Sequence, residues 1–162
     1  MCRLSLYLSS TSDGAIFHLP KLGALQTHLC VTWDSSSGQT AFYMDGKKSL
    51  SKIYRKGHEG IRRGGRVIIG QDPDEYFGSF QAEQSFVGEI GDINMWDHVL
   101  CPATIKALYD GLLVETGNIF DWEKTVLQVR GPRAEVVCPT TSLESTTHLR
   151  SSTPEVVDDP EH

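Results

Sequence analysis

The sequence predicts an all-β sandwich carrying one short helix. Three observations point there. Short segments rich in β-branched and aromatic residues recur along the chain, and Ser-, Gly- and Asp-rich turn signals separate them. Only one stretch has helical spacing of apolar residues. The 162 residues suit one domain of ordinary size plus a tail. The domain is expected over 1–138. Residues 139–162, rich in Ser, Thr, Pro and acid, cannot bury enough apolar area to offset ordering entropy, and are expected to be disordered.

The elements follow in order. Leu4 to Leu8 alternates, "SSTSDG" turns, and Ala15-Ile16-Phe17 resumes. Leu29 to Trp33 favours a strand. "DSSSG" is a hairpin loop that returns through Thr40 to Met44, and Asp45-Gly46 is the strongest short hairpin signal in the chain. Val67-Ile68-Ile69 reads as a buried strand. Phe86 to Trp96 alternates over its whole length, with glycines that suggest close packing or a bulge. Pro102 opens the helix, where a missing N–H costs nothing; Ile105, Leu108 and Tyr109 share a face, and Gly111 stops it. Ile119 to Val129 and Ala134 to Val137 read as final strands.

Charge and motifs exclude several functions. A net charge of -6 argues against nucleic acid as a partner. The one basic stretch, Lys52 to Arg66, reads as a solvated loop and strand edge. No apolar run approaches membrane-spanning length, and Met1-Cys2-Arg3-Leu4 does not open a secretory signal. Cys2, Cys30, Cys101 and Cys138 show no CxxC spacing, so zinc and thioredoxin-like chemistry are not indicated. No nucleophile elbow, phosphate loop or zinc motif occurs, and Glu89 lacks a second acid at a diagnostic spacing. The chain is not expected to be an enzyme. His28 reads as a structural histidine, and Trp33, Trp96 and Trp122 as core aromatics.

One loop stands apart. "GQDPDEYFGSFQAEQ", Gly70 to Gln84, packs carboxylates and amides between two apolar runs. Such a loop is either a solvated turn or a site for a hard cation. Calcium takes six to eight oxygen ligands from carboxylates, amide and backbone carbonyls, and water. Asp72, the Pro73 carbonyl, Asp74, Gln81 and Gln84 can supply much of that set. The spacing is not that of an EF-hand.

The octapeptide "HLCVTWDS" resembles the pentraxin signature, with His28, Cys30, Thr32, Trp33 and Ser35 at its fixed positions. The stretches "GQDPDEYFGSFQAEQSFVGEIGDINMWDHVL", "CPATIKALYDG" and "GNIFDWEKTVLQVRG" resemble later blocks of the same family, in the same order. The resemblance covers roughly Leu4 to Cys138. It implies a two-sheet antiparallel jelly roll similar to legume lectins and laminin G modules, with a helix on the face opposite the ligand site. It also implies two calcium ions per subunit, pentameric rings and secretion. Asp72 falls where the family carries a bridging glutamate, Pro73 where it uses a backbone carbonyl, and Asp74 on an aspartate serving both ions. Gln81 replaces a glutamate and Gln84 matches a glutamine. The shorter Asp72 and the uncharged Gln81 should weaken the second calcium.

The resemblance also implies an Asp-Asn calcium-ligand pair and a disulfide partner for Cys30 upstream of Met1. The chain is therefore expected to be a pentraxin domain lacking its first strands. Cys2 is a candidate substitute partner for Cys30, and Cys101 and Cys138, which bracket the helix and the last strands, are candidates to pair with each other. The implied function is calcium-dependent recognition of phosphorylated headgroups or anionic glycans by a secreted, homo-oligomeric protein of innate immunity. The alternative is a pentraxin module within a larger adhesion receptor of the G-protein-coupled type, towards which the Ser/Thr-rich tail leans.

Overall fold

The computed structural model describes residues 2–8, 13–61, 64–72, 80–112, 115–131, 134–137 and 148–151. The chain divides into two compact units: Met1–Arg63 with Trp96–Glu115, and Gly64–Met95 with Thr116–His162. Every strand pairing among the described residues is antiparallel.

In the first unit, β1 (Cys2–Leu6) pairs with β2 (Ala15–Leu19) from Cys2↔Leu19 to Leu6↔Ala15. In β2, Ala15, Phe17 and Leu19 are buried and His18 is exposed, the alternation of a half-buried strand. A second sheet contains β3 (Leu29–Trp33), β4 (Gln39–Met44), β5 (Lys47–Lys48) and β6 (Lys52–Ile53), with β4 at its centre. Asp34 builds the β3–β4 loop. Its carboxylate accepts from Ser36 N (2.9 Å), Ser36 Oγ (2.7 Å) and Ser37 Oγ (2.8 Å), and its carbonyl accepts from Gly38 N (2.7 Å). The β4–β5 turn sets Asp45 at φ 51° and Gly46 at φ 71°, the paired positive angles that make Asp-Gly a tight hairpin turn.

Both faces of β4 are covered, because successive side chains point to opposite sides. Phe42 joins Leu8, Ala15, Phe17, Leu19 and Tyr54 in one core, with Trp33 and Met44 packed against it. Ala41 and Tyr43 join Leu100 and Ile105 in a second, with Cys30, Trp96 and Leu108 against it. The second core lies under α1 (Pro102–Tyr109), whose Ile105 is fully buried. Cys101 caps the helix, its sulfur accepting from Thr104 N. Gly111, at φ 69°, ends it.

In the second unit, β7 (Gly88–Gly91), β10 (Ala134–Val137) and β11 (His148–Ser151) form a sheet in the order β10-β11-β7. A separate pair joins β8 (Asn94–Met95) to β9 (Phe120–Asp121). Gly117 is demanded here: a Cβ would stand 2.0 Å from Phe120 O, while Gly117 N donates to Asn94 Oδ1 at 2.9 Å.

The structure departs from the sequence expectations chiefly at four places. Val67-Ile68-Ile69 makes no strand, and Val67 is 46% exposed; apolar β-formers alone do not make a strand without a ladder partner. The run from Phe86 to Trp96 breaks into β7 and β8, because Asp92 takes φ 53° and interrupts the period of two. Of Ile119–Val129 only Phe120–Asp121 is a strand. Beyond it the Asp121 carboxylate accepts from Glu123 N (3.0 Å) and Lys124 N (3.3 Å), turning the backbone away from a ladder. Finally, His148–Ser151 lies in the segment expected to be disordered, yet forms β11 between β10 and β7. Backbone pairing on both sides needs no apolar composition, which is the property the sequence argument weighed. The rest of 139–162 lies outside the described residues.

Candidate functional site

The oxygen-rich loop springs from two stems in the second unit, Gly70–Asp72 and Phe80–Phe86. Three contacts hold the stems together. Phe86 N donates to Gly70 O at 2.8 Å. Gln71 Nε2 donates to Gln81 O at 3.0 Å and also to Ser85 Oγ. A single side chain amide thus ties one stem to both ends of a short 3-10 turn, Ala82–Gln84, on the other. Ser85 N→Ala82 O and Gln84 N→Gln81 O, both 3.1 Å, close that turn.

These contacts join the stem that carries Asp72 to the stem that carries Gln81 and Gln84. Asp72 follows Gln71 directly and is exposed; Gln81 and Gln84, about a loop's length later in sequence, bracket the turn and are also exposed. Pro73, Asp74 and the loop residues up to 79 lie outside the described residues. Among those described, no three His, Cys, Asp or Glu side chains cluster as a metal site. The donor chemistry nonetheless fits a hard cation: Asp72, Gln81 and Gln84 each offer a side-chain oxygen, and Gln71 Oε1 is buried with no hydrogen-bond partner among the described residues. A buried carbonyl oxygen without a donor is costly, and a cation is one way to satisfy it.

Gln71 is the residue that sequence reasoning missed. Its signal was available: an amide directly before the acidic stretch, able to donate from one end while its oxygen stays free.

The signature residues do a different job, in the first unit. His28 N donates to Asp45 Oδ1 (3.0 Å) while Asp45 N donates to His28 O (2.9 Å), which locks the end of the β3–β4 hairpin. The His28 ring packs on Tyr109, centroids 5.9 Å apart. Thr32 Oγ1 donates to Ala41 O at 3.4 Å. Trp33 Nε1 donates to Tyr54 O at 2.9 Å, and Ser35 O accepts from Gly57 N at 2.7 Å. Cys30 is partly buried beside Tyr43, and burial pushes its thiol up to about 11. These residues build the hairpin and its contacts rather than a binding site.

Cys2, Cys30 and Cys101 carry free thiols. Cys138, the expected partner of Cys101, lies outside the described residues.

The Pentaxin family model matches residues 4–138. The chain belongs to the pentraxin family. It is 54% identical over 132 residues to a C-reactive protein of Danio rerio, covering 80% of this chain and 57% of that protein. It is 44% identical over 126 residues to a serum amyloid P-component of Mesocricetus auratus, covering 78% and 52% respectively. The chain therefore spans about half the length of these relatives. Among solved structures it resembles a native heptameric SAP-like pentraxin from Limulus polyphemus, with a TM-score of 0.69 at 21% identity, over 93% of this chain and 64% of that one. The pentraxin jelly roll, antiparallel sheets with one short helix, is its fold class. No described helix is long and apolar enough to cross a membrane.

Proposed function

We propose that this pentraxin chain binds ligands through calcium held at the Gly70–Gln84 loop. Asp72, the Pro73 carbonyl, Asp74, Gln81 and Gln84 are the donors, and the ligands are phosphorylated headgroups or anionic glycans met outside the cell. The observation that supports the reading is the Gln71 bridge, which ties the stem carrying Asp72 to the stem carrying Gln81 and Gln84. When bound, calcium supplies positive charge that both protein carboxylates and ligand phosphate oxygens can share. The chain's own task is to order the stems before the ion arrives, so that less conformational entropy is lost on binding. With Asp72 and Gln81 in place of longer or charged donors, the affinity should be modest. Assembly into a homo-oligomeric ring belongs to the same reading, supported by the heptameric neighbour.

Calcium titration by calorimetry tests it, on the unaltered chain and on Asp74→Ala. The unaltered chain should give saturable heat, and Asp74→Ala should lose most of it. Vesicles bearing phosphorylated headgroups should then retain the chain only when calcium is present. Equal heats from the two proteins would remove calcium from the account.

A further inference from the structure

In the second unit one strand is inserted between two others. β11 (His148–Ser151) lies between β10 and β7, in the sheet order β10-β11-β7. Both backbone edges of β11 are therefore engaged, and among the described residues β7 and β10 do not pair with each other. Without β11 their facing edges would stand two strand spacings apart, about 9–10 Å. That is a slot for one extended segment, with backbone donors and acceptors along both walls.

Register gives the slot a chemical preference. Leu149 stands opposite Val136 on one side and Ile90 on the other. Arg150 stands opposite Glu135 and Glu89, both exposed. Successive residues of a strand belong to opposite faces, so the two triplets lie on different faces of the sheet. One face has an apolar row, and the other sets a basic position between two carboxylates. Opposite charges directly across a ladder stabilise it, and like charges destabilise it. Slipping the segment by one residue would put Leu149 or Ser151 between the carboxylates, so the order apolar-then-basic fixes the register. His148 and Ser151, at the two ends, stand opposite Gly91 and Gly88 of β7, which have no side chain to select against either.

The segment has little else to hold it. His148-Leu149-Arg150-Ser151 contains one strongly apolar residue and no β-branched one. Backbone ladders form with any sequence, so a foreign segment with the same apolar–basic order can form the same two. Residues 138–147 join β10 to β11, and an occupant tethered through the chain has the advantage over one in solution.

We propose that the β7–β10 slot is a strand-acceptor site for an extended peptide segment of another protein, one in which an apolar residue is followed directly by arginine or lysine. His148–Ser151 is the chain's own occupant and is displaced when the partner enters. The partner gains both ladders, with its apolar residue in the row of Val136 and Ile90 and its cation in the row of Glu135 and Glu89.

The test uses the full chain, with a chelator present throughout, and two labelled peptides, TTHLRSST and TTHLESST. Arg150→Glu puts three carboxylates in one row. It should release β11, seen as faster amide hydrogen exchange in β7 and β10. TTHLRSST should then bind this variant, by fluorescence anisotropy, and restore slow exchange. TTHLESST should bind about tenfold more weakly, the size expected when two cross-strand ion pairs become like-charge pairs. Glu89→Lys with Glu135→Lys, in a chain that keeps Arg150, should reverse the order of the two peptides. That second chain carries the same test should Arg150→Glu not fold. No binding of either peptide, equal binding of both, or exchange in β7 and β10 that ignores the peptide would each overturn the assignment. So would a variant that answers the release of its own strand only by dimerising, with the peptide left free. Calcium is absent from every measurement, so this reading and the calcium reading fail independently.

Discussion

Replacing Gln71 by methionine separates loop order from overall stability. Methionine keeps the unbranched shape and removes every polar atom. Two hydrogen bonds are lost, to Gln81 O and Ser85 Oγ, each worth about 0.5–1.5 kcal/mol net. Both former partners sit at a solvated surface stem and can turn to water. The substitution also removes Gln71 Oε1, a buried acceptor without a partner among the described residues, whose burial costs about 1–3 kcal/mol. The two effects oppose each other at similar size. The calcium-free variant should therefore unfold within about 1 kcal/mol of the parent. Calcium affinity should behave differently. If unpinned stems leave only a tenth of the molecules ready to bind, the apparent affinity falls about tenfold, or about 1.4 kcal/mol. Urea denaturation without calcium measures the first quantity and calorimetric titration the second. Calcium binding unchanged within about twofold, alongside an unchanged urea midpoint, would refute the idea that Gln71 orders this loop for an ion.

Further outcomes follow from the same coordinates. Ile105→Ala empties a fully buried position beneath α1, and should cost about 2–5 kcal/mol in denaturant unfolding. Burial raises the Cys30 thiol to about 11 from 9.0, so alkylation of Cys30 at pH 8 should wait for unfolding. The same shift contributes stability that is full below pH 9 and lost as the pH climbs towards 11. Asp34, through the Ser36 and then the Ser37 hydroxyl, and Asp121, through Lys124 first, both lie below the ordinary 3.8. Their contribution is present above 3.8 and is lost as pH falls through the lower folded values. Asp34→Asn and Asp121→Asn should each flatten the acid limb of a stability-against-pH curve; an unchanged limb would show that these hydrogen bonds do not persist in solution.

Local chemistry was legible wherever one short segment settles the outcome. Leu29–Trp33 forms β3 and Ala134–Val137 forms β10 with the expected bounds, because β-branched and aromatic residues suit a pleated surface. Asp45-Gly46 turns as read, since both its positions demand positive φ. Pro102 and Gly111 bound the helix because one lacks a donor the helix start does not need and the other tolerates a left-handed stop. The oxygen-rich composition of Gly70–Gln84 was equally plain. Less legible was Tyr109, placed on the apolar face of α1 yet 44% exposed, because it meets His28 rather than the buried core around Ile105.

By itself, then, the sequence determined membership of the pentraxin family, the β3–β4 hairpin, the helix limits and the kind of atom offered by the loop. Each depends on residues near one another in the chain, whose backbone preferences and side-chain chemistry need no distant partner. Only the tertiary structure decided that Val67–Ile69 goes unpaired, that His148–Ser151 becomes a strand, that Gln71 joins the loop's stems, and that Arg150 stands in register between Glu135 and Glu89. Those outcomes turn on which groups far apart in sequence meet. A hydrogen bond or ladder gains free energy only once its partner is in place, and no single segment carries that information.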